Sequence, residues 1–185
     1  MMQVLVFIGL LTTSLISAAG DVKPIAPSKE FDSRLAEYVK LKEKVVSGFA
    51  EPVKKDDAQL IEARKLAAAN AVREARSSAR QGDLFTPETA EQIRRVIRSE
   101  LKGPAGSSAR KVTKQGNPTA EGTPFVPKVN VLYPKEAPLS TVPPTVLLRL
   151  PQLPKGIEYR FVGKTMILYD ADTRLILDLL PNALP

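Results

Sequence analysis

Cysteine, histidine and tryptophan are all missing from this 185-residue chain, and aromatic residues make up only 5% of it. Without cysteine no disulfide can staple the fold, so stability has to come from burial, and no lipid-modified N-terminal cysteine is available. Without histidine or cysteine there are no imidazole or thiolate metal ligands, no Ser-His-Asp triad and no cysteine nucleophile. Any catalysis would have to use carboxylates, Lys, Ser/Thr or Tyr. The scarcity of rings argues against a stacking platform for sugars or bases.

Charge is missing too, but only locally. Residues 1–19 carry no charged side chain, are mostly apolar and end in Ser17-Ala18-Ala19 before Gly20-Asp21. That pattern reads as a secretory signal peptide cleaved between Ala19 and Gly20, since the apolar run is short for a membrane span of about 20 residues. The expected address is secreted or periplasmic, with retention as an N-terminal anchor as the alternative. The net charge of +7 lies wholly beyond this leader and is spread out, with 17 basic against 14 acidic residues over 20–102 and 10 against 6 over 103–185. A diffuse positive field favours loose association with anionic envelope polymers or phospholipid head groups. It does not favour nucleic acid, given the exported address.

Helical patterning begins at Ser28, a plausible N-cap, with Phe31, Leu35, Tyr38, Val39, Val45 and Val46 returning on one side until Gly48 and Pro52. A second helix is expected from Asp56 or Asp57 to Gly82, with Leu60, Ile61, Ala67, Ala68, Ala71, Val72, Ala75 and Ala79 on its apolar side. Its alanines suit close helix–helix approach. The third start signal is the clearest: Thr86 as cap, Pro87 at the first helical position, Glu88 at the positive dipole end and Phe85 as a staple. Ile93, Val96, Ile97 and Leu101 form its inner face, and Gly103-Pro104 ends it.

Over 103–133 no period is visible, and Gly, Ser, Thr, Pro and Lys read as a flexible linker. From Pro134 to Pro154 frequent prolines prescribe an extended arm, within which 146–150 could be an edge strand. Period-two patterning then gives strands over 157–162, 165–169 and 175–180, joined by turns at Gly163-Lys164 and 170–173. A three-stranded meander of this kind needs a cover. The expected fold is α+β: a leader over 1–19, a helical segment over 20–102, a linker over 103–133, and over 134–185 a Pro-rich arm with a small antiparallel sheet.

The short motifs favour plain readings. Gly163-Lys164-Thr165 resembles the end of a phosphate loop, but the upstream Gly156 is misplaced and a strand follows, so a hairpin turn is expected. Ser99 and Lys102 match Ser-x-x-Lys without the partner elements of acyl-serine enzymes. Asp170, Asp172 and Asp178 lack the Gly and distal Glu of a calcium loop, and Arg174 stands where an oxygen donor belongs. The Pro124/Pro127 and Pro151/Pro154 pairs suit a packed internal arm. The most site-like cluster is basic: Arg73, Arg76 and Arg80 share one helical face, and Arg94 and Arg98 share another. Adjacent, these faces would form a patch for an anionic partner; the plain account is a solvated face with pairs such as Glu91 with Arg95.

Residues 31–44, the run Arg80-Gln81-Gly82-Asp83-Leu84-Phe85-Thr86-Pro87, the segment 153–163 and the ending 178–185 together resemble an uncharacterised family of exported bacterial proteins, which implies export but no particular activity. Over 159–180 the strand–turn–strand pattern is also similar to the C-terminal strands of the periplasmic nickel/cobalt homeostasis family. The function these readings point to is a non-enzymatic envelope interaction or structural accessory protein, binding a protein or an anionic polymer without a cofactor. The alternatives are a metal-homeostasis or stress accessory factor, implied by the second likeness, and a small hydrolase using carboxylate or Ser/Lys chemistry.

Overall fold

Helix α1 (Lys29–Ser47) starts where Ser28 accepts the Phe31 N–H at 3.3 Å and stops at Gly48, with Glu30 and Asp32 in its first turn and Lys44 in its last. In the computed structural model, which describes residues 24–25, 28–49, 58–104, 106–115, 117 and 125–185, Phe31, Leu35 and Tyr38 form the buried side of this helix. The expected leader with its cleavage point at Ala19 and Gly20, and the expected second-helix start at Asp56 or Asp57, lie outside the described residues. Among the described residues no helix is long and apolar enough to cross a membrane.

Helix α2 (Ala58–Ala75) packs along α1 through Ala68, Ala69 and Val72. It ends well short of Gly82. After Ala75 the chain tightens into turns, and the Asn130 side chain caps the helix end by donating to the carbonyls of Arg73 and Arg76, each at 2.9 Å. Helix α3 (Pro87–Lys102) has the expected Thr86 cap, and Ile93, Val96, Ile97 and Leu101 are all buried. Phe85, just before it, stacks between Phe31 and Tyr159, with ring centroids 6.4 and 6.3 Å away.

The stretch expected to be a linker, 103–133, contains a further helix, α4 (Gly106–Lys114), packed along α3. The approach is so close that a Cβ at Gly106 would fall 2.3 Å from the Leu101 carbonyl oxygen. Its last turn is held by Ser140, whose hydroxyl donates to the Thr113 carbonyl at 3.1 Å. Too short and too polar to show a sequence period, α4 owes its existence to tertiary contacts.

In the proline-rich arm, 146–150 is not an edge strand. Pro144 opens a one-turn helix, α5 (Pro144–Leu147), that buries Val146, and two prolines in succession suit a helix start better than a hydrogen-bonded strand. An ion pair at 3.0 Å between Arg149 and Glu100 fixes the following turn to α3. The edge strand lies just upstream as β1 (Ser140–Thr141), and the sheet has four antiparallel strands in the order β1, β2 (Ile157–Val162), β3 (Thr165–Asp170), β4 (Leu175–Leu180). The β3–β4 register shifts between Leu168, opposite Asp178, and Tyr169, opposite Ile176; Leu177 is the extra residue of a bulge.

Both faces of this sheet are covered, where the sequence pattern promised one. On one face Tyr159, Phe161, Met166, Leu168, Leu175, Leu177 and Leu180 share a core with the buried sides of α1, α2, α3 and α4. On the other, Ile167, Tyr169 and Ile176 lie against Tyr133, itself edge-on to Phe125 at 5.0 Å and to Tyr169 at 5.8 Å. Helices and sheet therefore share one continuous core.

Candidate functional site

The five arginines singled out from the sequence do not form a patch. Arg73 is exposed on the last turn of α2. Arg76, already beyond the helix, lies 5.0 Å over the Tyr38 ring and donates to the Leu177 carbonyl at 3.1 Å, the carbonyl of the bulged residue. Burial lowers its pKa, against the opposing pull of Tyr38 and Asp178. Arg80 is exposed, and its backbone N–H donates to Asp83 at 2.7 Å. Arg94 donates to the Pro181 carbonyl at 3.1 Å, and Arg98 pairs with Glu91 at 3.0 Å, the acid that helical spacing had matched with Arg95. Arg76 and Arg94 thus serve the fold through main-chain carbonyls of Leu177 and Pro181, and Arg98 is paired, which leaves Arg73 and Arg80 exposed.

Two aspartates weighed as calcium ligands prove to be fully buried acceptors. Asp170, at the end of β3, accepts hydrogen bonds from the Tyr38 hydroxyl and from the backbone N–H of Asp172 at 2.9 Å, and pairs with the Lys42 ammonium at 2.9 Å. Lys42 also reaches Asp172 at 2.7 Å. Burial alone would lower the Lys42 pKa, but its bonds to Asp172 and Asp170 outweigh burial and raise it. Tyr38 is pushed well above the ordinary tyrosine range by burial and by the Asp170 charge, which keeps it a proton donor rather than a base.

Asp178 has a different shell. Its carboxylate accepts the N–H groups of Gly82 at 2.9 Å, Leu84 at 2.8 Å and Phe85 at 2.7 Å, tying the loop before α3 onto β4. Burial raises its pKa, partly offset by these N–H bonds. Among the described residues no three acidic side chains gather in a way that could hold a metal ion. A cleft of about 410 Å³ opens beside Tyr38, but Arg34, Glu37, Arg76 and Asp83 give it mixed charge, and Arg34 is occupied by Glu30 and the Asp83 carbonyl.

The remaining motifs resolve simply. Gly163-Lys164 is the β2–β3 turn, with Gly163 at a φ of 59°, and Ser99 and Lys102 sit in the last turns of α3.

A basic concave surface was invisible from the sequence because it is assembled from separate segments. Arg110, Lys111 and Lys114 lie on α4, which contains no acidic residue, and Lys164 projects from the β2–β3 turn. Asn117 joins the two: its side-chain oxygen accepts the Gly163 N–H at 2.8 Å and its amide donates to the Gly163 carbonyl at 3.0 Å. Between them lies a groove of about 340 Å³ into which, among the described residues, no Asp or Glu projects. Lysines at the end of α4 also complement the negative end of its dipole. No protein-family profile, no curated protein and no solved structure matches this chain.

Proposed function

We propose that this is an exported, non-enzymatic accessory protein of the cell envelope that binds an anionic polymer or an acidic protein surface through the basic face of α4 and the β2–β3 turn. One observation carries the reading: Arg110, Lys114 and Lys164 converge from two elements onto a concave surface, with Lys111 exposed nearby on α4, and among the described residues no acidic side chain lines it. Like charges gathered with few counter-charges raise the local potential and draw anions. Support also comes from the buried ionisable groups. Asp170, Asp178, Lys42 and Arg76 are each bound by internal partners, so their polarity goes into joining helices to sheet.

The test is retention of the mature protein on an immobilised anionic polymer, heparin, across a salt gradient. Charge reversal of Lys111, Lys114 and Lys164 to Glu should lower apparent affinity at least tenfold, because several contacts are lost together and each is salt-sensitive. Reversal of Arg73 and Arg80, exposed elsewhere, should change it less than twofold. Equal effects from both variants would leave only net charge and sink the reading.

A further inference from the structure

The groove between α4, the β2–β3 turn and the C-terminal residues is not uniformly basic. Its floor is apolar, with Leu101 buried, Leu184 half-buried and Pro185 beside them, while Arg110, Lys114 and Lys164 are exposed at its rim. The walls are fixed from several sides. Arg110 donates to the Leu101 carbonyl, Asn117 holds the turn at Gly163, and the Lys164 carbonyl accepts the N–H groups of Ala183 at 2.9 Å and Leu184 at 3.1 Å. Among the described residues neither the Lys114 nor the Lys164 ammonium is in an ion pair.

An apolar floor under a cationic rim selects a ligand with both characters. A hydrophilic polymer would meet the rim and leave the floor wet, and an inorganic anion would gain nothing from Leu101 and Leu184. A bilayer surface is disfavoured by depth, because the apolar side chains are recessed below the charges, so a tail must come in to them. The volume of about 340 Å³ is near the lower end of ligand pockets and suits one chain rather than two. We infer that this groove binds a free single-chain carboxylate amphiphile of the fatty-acid type, its head among Lys114, Lys164 and Arg110 and the adjoining part of its tail over Leu101 and Leu184. The inference rests on the reading of this basic face as a binding surface and names the ligand that its groove takes.

Laurate below its micellar concentration is the probe, with amide chemical shifts of the ¹⁵N-labelled mature protein as readout. Laurate should shift Lys114, Gly163, Lys164 and Leu184 saturably, and Lys114→Gln/Lys164→Gln should weaken it at least tenfold without changing the melting temperature. Dodecyl maltoside, with the tail and no charge, and acetate, with the charge and no tail, should each bind at least tenfold more weakly. The inference is overturned by the absence of saturable shifts, by equal binding of either half-ligand, or by anionic phospholipid vesicles shifting these residues when laurate does not. Loss of laurate binding alone, with the heparin result intact, removes the amphiphile and keeps the basic face. Laurate binding with heparin retention unaltered by charge reversal removes the polymer reading and keeps the groove.

Discussion

Asp170 and Asp178 occupy neighbouring strands, face the same helical layer and are equally buried, yet across the core Asp170 is met by side chains and Asp178 by backbone. Asp170 meets a cation and a phenol, both side chains of α1, together with the backbone N–H groups of Asp172 and Thr173 in its own turn, and its lysine keeps a second, exposed partner in Asp172. Asp178 meets backbone N–H groups of the 82–85 loop. A side-chain shell can loosen one member at a time and let water in at the Asp172 side. A backbone shell cannot be rebuilt by changing a rotamer, so losing its acceptor strands several donors at once.

Breaking that second shell should cost most. Asp178→Ala leaves the Gly82, Leu84 and Phe85 N–H groups without their acceptor, and a loss of about 3–5 kcal/mol is expected in urea unfolding. A loss below about 1 kcal/mol would show that water replaces the carboxylate and that the two shells are equivalent. Asp170→Ala should cost less, about 2–3 kcal/mol, because Lys42 retains Asp172.

Tyr38→Phe sharpens the comparison further, since it removes one hydrogen bond to Asp170 and keeps the ring beneath Arg76; about 1 kcal/mol is expected. Alkaline titration isolates the Asp170 shell. Lys42 and Tyr38 both have raised folded pKa values, so their contributions are complete at neutral pH and are lost as pH climbs beyond about 10, where the unfolded groups begin to release protons. A pH series of melting temperatures should fall there, and Lys42→Met should flatten the fall; an unchanged slope would remove Lys42 from the account. The smallest effect belongs to the exposed Arg98–Glu91 pair, where Arg98→Ala should stay within about 0.5 kcal/mol.

What could be read from the sequence follows how local each signal is. Helices α1 and α3 were legible because Ser28, Thr86 and Pro87 act within a few residues of themselves. The end of α2 was not, because its cap comes from Asn130 and its next residue, Arg76, is drawn to a carbonyl of β4. Helix α4 was missed since its one fully buried apolar side chain, Ala109, leaves no period, and Ser140 and close packing on the α3 backbone help to hold it in place. The sheet was legible in three of its strands; β1 is only two residues long and leaves no period to detect. Among the candidate site residues, helical spacing put Arg73 and Arg76 on one face but carried no information about the end of α2 before Arg76 or the carbonyl waiting across the core. The basic groove draws on four separated stretches, so no window of sequence contains it.

The additional residue in β4 sets the phase of everything after it. Leu175 and Leu177 point to the helices and Ile176 to the opposite side, so strict alternation would send residue 178 away from the 82–85 loop. Because Leu177 is unpaired, the count restarts and Asp178 points the same way as its neighbour, toward the N–H groups it binds. Pairing Leu177 regularly, with no bulge, would thus aim the carboxylate into the Tyr133 side of the sheet, whereas deleting Leu177 would leave it facing the loop. A chain sharing this architecture without the bulge would have to carry its acid directly after the residue equivalent to Ile176.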